Sequence, residues 1–410
     1  MTPAAEQRTS WLIVALAVGT GVLGAFQIGK VPVALGDMRL DLGFGLIAAG
    51  WVISLFNFPA IFGGAPMGAV VARFGDRRVA LAGLLTLAAG GLLGAMATSD
   101  TVLQASRLIE GFAFLMTQVS APALIQRFVR SEDQRLAFGI WGAYMGTGQA
   151  IIMLAAPLII PAAGWRGLWL LNVAIVLAFA VVLALATRLP SAKPPVIRRV
   201  GLGELLRDMQ RTLSSSGPAA IALCFGAYAG NYLIVVGFLP TMLVEDLQFS
   251  RGAAASVTAV AVALNAAGNV MGGLLLQRGI ARWRLLVAAH VGMCLFGLGI
   301  FAEGLPIAIR LAFCLAFFGI GGILPASALG SATRLAPAPH LVPTTNGVIV
   351  QGAALGQFVA PPLAAVVATA AGGWHWSPAV LAGGALIGIM LALVVRNRES
   401  AAVQGTSERC

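Results

Sequence analysis

Charged side chains are scarce in this sequence. Asp, Glu, Lys and Arg together supply 10% of its 410 residues, against about 25% in soluble globular domains. That deficit excludes a chain of two or three soluble domains. Extended polar runs are also missing: the longest sustained break in hydrophobicity is residues 188–217, too short for a soluble domain. Cysteines number four, with Cys224, Cys294 and Cys314 inside apolar stretches and Cys410 as the last residue. With no CxxC and no Cys/His spacing, a disulfide framework and a zinc site are both excluded, and these cysteines read as small buried hydrophobes. No nucleophile–base pair or metal-ligand constellation is legible, so no enzyme and no cofactor is expected.

What the chain has is apolar length. It is 59% hydrophobic with a mean hydropathy of +0.91. Twelve stretches, read as 11–36, 44–72, 79–97, 101–128, 137–160, 167–187, 218–243, 252–277, 285–302, 305–333, 345–370 and 377–395, can each cross a hydrocarbon core of about 30 Å as a helix. Glu6 and Arg8 precede a run that leads into a second span without a small-residue cleavage site, so a cleaved signal peptide is not expected. The expected fold is an all-α membrane protein of twelve transmembrane helices in the cytoplasmic membrane.

The net charge of +11 invites a nucleic-acid reading, which the placement of the cations removes. With the N-terminus in the cytoplasm, twenty of the 26 basic residues fall on the inner side and only Arg39, Arg166 and Arg251 outside. This asymmetry is the positive-inside rule, and it puts both termini in the cytoplasm. The expected partners are a small-molecule solute and membrane lipids, with anionic headgroups facing the basic loops, and no nucleic acid. A monomer is expected.

Six spans precede segment 188–217 and six follow it. The expected organisation is therefore an N-terminal bundle over 1–187, a cytoplasmic linker over 188–217 and a C-terminal bundle over 218–410. Within the linker, GELLRDMQRTL has the pattern of a short amphipathic helix. The halves match at offsets of 203–209: Gly68 and Arg73 with Gly273 and Arg278, Arg107 and Pro122 with Arg310 and Pro325, Gly148-Gln149 with Gly356-Gln357, and Gly164-Trp165 with Gly373-Trp374. Such a duplicated six-helix unit belongs to secondary transporters.

Three motifs carry a resemblance to a known family. GAVVARFGDRR, from Gly68 to Arg78, resembles the loop signature after the second span of the major facilitator superfamily. RLIEG, from Arg107 to Gly111, is similar to that family's fourth-span motif. GIWGAYMGTGQ, around Trp141, resembles the cyanate and nitroimidazole-resistance branch. The resemblance implies alternating access, with the first and fourth helices of each half lining a cavity. It also assigns Arg73, Asp76, Arg77 and Arg78 to an inner gate. The sequence departs from the signature at Ala72, where relatives carry Asp, and Asp76 is the expected substitute. The absent GPxxGG motif in span 5 argues against drug–proton antiport, and the absence of basic residues within spans 2 and 8 argues against nitrate.

Charges within a bilayer are costly and mark pathways or sites. Lys30, Arg107 and Arg310 lie at similar depth, roughly 8–9 Å below the outer boundary at 1.5 Å per residue. With the implied architecture they would surround one pathway, opposed only by Glu110. That balance favours an anion, for which the arginine fork is suited. Two other readings stay open: Arg107 and Glu110, at i and i+3, pairing with each other, and Lys30 snorkelling to the interface. Glu110 is the expected proton-coupling residue. Gln27, Asn57, Gln118, Tyr144, Tyr228, Asn231, Tyr232, Asn265 and Gln351 are further solute-binding candidates, with helix–helix hydrogen bonding as the competing explanation. The expected function is secondary active transport of a small anionic or polar organic solute, with protons as a candidate coupling ion. The alternatives are proton-coupled multidrug efflux and a non-transporting receptor.

Overall fold

The computed structural model describes residues 9–187, 202–302 and 304–407. In chain order its helices are α1 (Trp11–Leu42), α2 (Leu46–Ser54), α3 (Phe58–Phe74), α4 (Asp76–Ala95), α5 (Asp100–Phe128), α6 (Gln134–Gly142), α7 (Tyr144–Ala186), α8 (Leu202–Leu213), α9 (Ser216–Glu245), α10 (Arg251–Gln277), α11 (Arg282–Ile300), α12 (Ile307–Gly321), α13 (Ile323–Leu329), α14 (Ala332–Leu335), α15 (Val342–Ala370) and α16 (Ser377–Ser407). Every regular element among the described residues is helical. In a bilayer only helices or closed barrels satisfy all their own backbone donors and acceptors, so this is the form the hydropathy demands.

Eleven helical stretches are long and apolar enough to cross a membrane. The difference from twelve spans has one cause: Leu136–Ala186 runs for 51 residues, about 75 Å of helix and twice what one crossing needs. Gly164 interrupts it with φ 66° and ψ 176°, a conformation that a Cβ disfavours. The helical hydrogen-bond pattern bridges the break, but the direction changes there, so the stretch supplies two crossings. Span 10 is divided into α12, α13 and α14, whereas its counterpart in the first half, α5, continues through Pro122.

The contacts group into two compact units, one of Met1–Leu42 and Gly63–Val200, the other of Gly43–Phe62 and Gly201–Cys410. The boundary differs from the expected one at Gly43–Phe62, which packs within the second unit. There the Trp51 and Phe58 rings lie 5.5 and 5.2 Å from Phe358 of α15, and Gly50 lets α2 rest on the backbone of Pro361 and Pro362. Helix α8 forms where the linker's GELLRDMQRTL stretch was expected to be helical; residues 188–201 lie outside the described residues.

Small residues set the helix spacing. In the second unit Gly226 of α9 and Gly356 of α15 face each other backbone to backbone, as do Gly268 of α10 and Gly322, the residue between α12 and α13. Lipid tails are as apolar as leucine, so close packing rather than hydrophobic exclusion joins such helices.

Candidate functional site

The largest concentration of buried charge lies inside the first unit. Lys30 of α1 and Arg107 and Glu110 of α5 have relative exposures of 0, 1 and 0%. Glu110 bridges the two cations: Lys30 Nζ donates to Oε1 at 2.6 Å and Arg107 Nη1 donates to Oε2. Lys30 Nζ also donates to Gln27 Oε1 at 2.5 Å and lies 4.2 Å from the centre of the Trp169 indole. Gln27 Nε2 donates in turn to Asn172 Oδ1 at 3.2 Å. Helix α4 closes the group with glycines, since a methyl at Gly90 would meet Glu110 Cγ at 2.9 Å.

Both local readings therefore meet at one carboxylate. Arg107 pairs with Glu110 as their i, i+3 spacing allows, and Lys30 turns inward instead of snorkelling. Neither cation faces an open pathway as expected; each is enclosed by its own bundle. The physical reason is Glu110: an unpaired buried charge is far more costly than a bridged one, so both cations turn to the carboxylate that α5 offers. Arg310 does something different in the second unit. Its Nε donates to the Ile300 carbonyl at 2.8 Å, satisfying an orphan acceptor at the end of α11.

All three tyrosines of the sequence sit in aromatic groups that include a side-chain amide, with Tyr144 and Tyr232 half-buried and Tyr228 buried. In the first unit Tyr144 donates its hydroxyl to Gln118 Oε1 at 2.5 Å and stacks on Trp141 with ring centres 4.5 Å apart. The Nε2 of Gln118 is buried there without a partner. In the second unit Asn265 Nδ2 donates to the Tyr228 hydroxyl at 3.0 Å and to the Phe318 carbonyl at 3.1 Å. Tyr228 stacks against Phe225 at 5.8 Å, and Tyr232 meets the Phe318 ring edge-on at 5.4 Å. Gln351 of α15 is buried with Nε2 unpartnered, and Asn57 is half-buried in the single 3-10 turn between α2 and α3. Asn231 separates from its neighbours Tyr228 and Tyr232: its Nδ2 donates to the Leu381 carbonyl at 2.9 Å, a helix–helix bond to α16.

At the other end of the first unit, Asp76 is 6% exposed and accepts from Arg127 Nη1 at 2.9 Å and from the Arg77 amide at 2.6 Å. Arg77 reaches the end of α7, donating to Thr187 Oγ1 at 2.8 Å and the Ala184 carbonyl at 2.9 Å. Asp76 and Arg77 thus tie the ends of three spans within one bundle. Arg73 and Arg78 are exposed.

Sequence reasoning missed Trp169 and Asn172 beside the charge group. A lone Asn inside span 6 was the available signal. The structure also brings His290 Nε2 to 3.5 Å from Sγ of Cys224, a cysteine whose sequence context reads as a plain buried hydrophobe. Among the described residues no three His, Cys, Asp or Glu come together as a metal site.

Comparison with known proteins agrees with this architecture. A methylenomycin A resistance protein of Bacillus subtilis (strain 168) is 28% identical over 246 residues, 58% of this chain and 50% of the relative. A probable actinorhodin transporter of Streptomyces coelicolor is 23% identical over 408 residues, 94% of this chain and 65% of the relative. The chain thus spans about half to two thirds of the length of these two relatives. A solved bacterial homologue of the human lysosomal transporter Spinster shares the fold with a TM-score of 0.75 at 14% identity, covering 97% of each chain. The family profile described as Major Facilitator Superfamily matches residues 16–308 and 220–409, so the chain belongs to that superfamily.

Proposed function

We propose that this transporter exports an amphipathic organic molecule with a planar aromatic or conjugated part, in exchange for protons and by alternating access. One observation carries the choice. Lys30 and Arg107 are enclosed and already bridged by Glu110, while both units hold stacked aromatics beside amide groups. Stacked rings with a hydrogen-bonding amide suit a planar solute with a polar edge. Methylenomycin resistance and actinorhodin transport, named for the relatives, support an outward direction. The Gln118, Tyr144, Tyr228, Tyr232, Asn265, Asn57 and Gln351 side chains are the proposed contacts, with Trp141 added. The charge group is the proposed proton-coupling element. The Trp141-bearing stretch keeps the proposed relation to the cyanate and nitroimidazole-resistance branch. The protein is proposed to work as a monomer with anionic lipid at its basic loops.

A second reading, transport of a small anion, is favoured by the excess of one positive charge in the Lys30–Arg107–Glu110 group. Proteoliposomes under an imposed pH gradient separate the two. The probes are ethidium, the planar anion 8-anilinonaphthalene-1-sulfonate, and the aliphatic dianion glutarate. Movement of the planar probes, reduced at least fivefold by Tyr144→Ala or Tyr228→Ala, is expected. Glutarate movement without either dye would replace this reading with the anionic one.

A further inference from the structure

Several arginines of the first unit bond a carboxylate: Arg127 that of Asp76, Arg130 that of Glu132 and Arg166 that of Asp41. Two arginines at one end of the second unit do otherwise. Arg284 of α11 and Arg396 of α16 both lie over the Trp283 indole, their Cζ atoms 5.5 and 4.8 Å from the ring centre. The first contact joins neighbours in sequence, while the second is tertiary and brings the start of α11 to the far part of α16. Both guanidiniums are exposed. Among the described residues the indole is their shared partner, and no carboxylate joins them.

Their placement makes an anion the missing partner. Arg284 stands in the first turn of α11, a helix of 19 residues with no acidic residue in that turn and no side-chain bond at its N-cap. The positive end of a helix dipole favours an anion there, and a cation adds to it. An indole attracts guanidinium groups through its π face but carries no charge, so it holds the two cations without neutralising them. The faces that lead away from them are apolar. Val291, Leu295 and Leu298 follow Arg284 at close to two, three and four turns of α11, and all three are exposed. Leu393 and Leu386 precede Arg396 on α16 and are exposed as well. Each arginine thus heads an outward apolar face with Trp283 beside it. That is the arrangement of a membrane boundary, with the aromatic ring at headgroup level and the arginine stem on apolar surface below its charged head.

We propose that Trp283, Arg284 and Arg396 form a seat for the phosphate of an anionic phospholipid in the cytoplasmic leaflet, with its acyl chains on the exposed faces of α11 and α16. A guanidinium fork matches phosphate oxygens, and basic sites between helices on the cytoplasmic side suit lipid headgroups. A lipid is favoured over a free phosphate because the charge stands at the head of apolar surface. The proposal rests on the reading above that anionic lipid lies at the basic loops, and gives that lipid one place.

The test uses the full chain, delipidated in neutral detergent. It is titrated with dioleoylphosphatidylglycerol or dioleoylphosphatidylcholine and followed by native mass spectrometry and by its thermal midpoint. Preferential phosphatidylglycerol adducts and a raised midpoint are expected. Arg284→Gln and Arg396→Gln, at exposed positions, are each expected to lower phosphatidylglycerol affinity about fivefold, the worth of one cation at an anionic surface, and to leave phosphatidylcholine binding unchanged. Two controls are expected to change it by less than about twofold. Arg398→Gln removes an exposed arginine two positions from Arg396, and Glu399→Gln removes the carboxylate three positions beyond it. A loss from either control as large as that from Arg396→Gln would mean attraction spread over the whole basic end and would overturn the seat. Displacement of phosphatidylglycerol by sn-glycerol 3-phosphate, or an equal rise in midpoint with it, would make this a site for a soluble anion and overturn the lipid assignment. If phosphatidylglycerol is preferred but neither Arg284→Gln nor Arg396→Gln weakens it, the reading of lipid at the basic loops survives and this seat fails. If the two lipids bind alike, that reading itself fails.

Discussion

Glu110→Gln removes one charge and almost no volume, which makes it the sharpest perturbation of the first unit. In the native protein the carboxylate is shared by Lys30 Nζ at 2.6 Å and by Arg107, and none of the three is more than 1% exposed. The substitution removes the counter-charge that the two buried cations share. Removing one partner of a buried pair costs about 3–5 kcal/mol. For a unit of 150–250 residues each kcal/mol moves the midpoint by about 2–4 °C, so a fall of roughly 6–20 °C is expected. Lys30→Met provides the contrast. It removes an excess cation and leaves Arg107 and Glu110 as a neutral pair, and methionine fills most of the lysine stem's volume, so a loss of less than about 2 kcal/mol is expected. The double variant returns the group to its native net charge of +1 and should recover at least half of the Glu110→Gln loss, a coupling that a double-mutant cycle isolates. The assay is the fraction of monodisperse protein on size exclusion after heating in detergent. If Glu110→Gln falls by no more than Lys30→Met, or the two losses simply add, the electrostatic account of this group is wrong.

Other expectations follow from the same contacts. Asp76→Ala should lower the midpoint by about 1–3 kcal/mol equivalent, because a charged hydrogen bond to Arg127 and a bond to the Arg77 amide are lost together; Arg78→Ala, at an exposed position, should change it by less than about 0.5 kcal/mol. Equal effects of the two would remove Asp76 from its inferred role. Gly356→Leu should abolish accumulation of folded protein, since Gly226 backbone lies directly against that position, whereas Gly36→Leu, with no neighbour within 4 Å of a Cβ, should be tolerated. Western quantification of membrane fractions distinguishes them. Gly164→Ala should destabilise by about 1–2 kcal/mol, as its φ of 66° lies in the left-handed region, while Gly139→Ala, at negative φ and with open space around the position, should not.

The membrane character and the helical class were legible along the chain. Hydropathy is a local property, and a bilayer turns apolar length directly into helix because no water is present to satisfy the backbone. The Gly164-Trp165 and Gly373-Trp374 match found a real turn in each half, with backbone breaks at Gly164 and Gly372. The three intramembrane cations were also legible as exceptional. Their partners were not. Lys30 meets a carboxylate 80 positions away, and Asp76 meets Arg127 across 51. Each residue rotates the side-chain direction by about 100° around a helix, so which face a cation presents depends on how its helix is turned in the bundle. Glycines on α4 and close packing of α1 on α5 and α7 made that choice. The sequence alone determined which charges enter the membrane. Tertiary packing decided that Lys30 and Arg107 share Glu110, that Arg310 caps a helix, and that Tyr144 and Tyr228 stand beside amides.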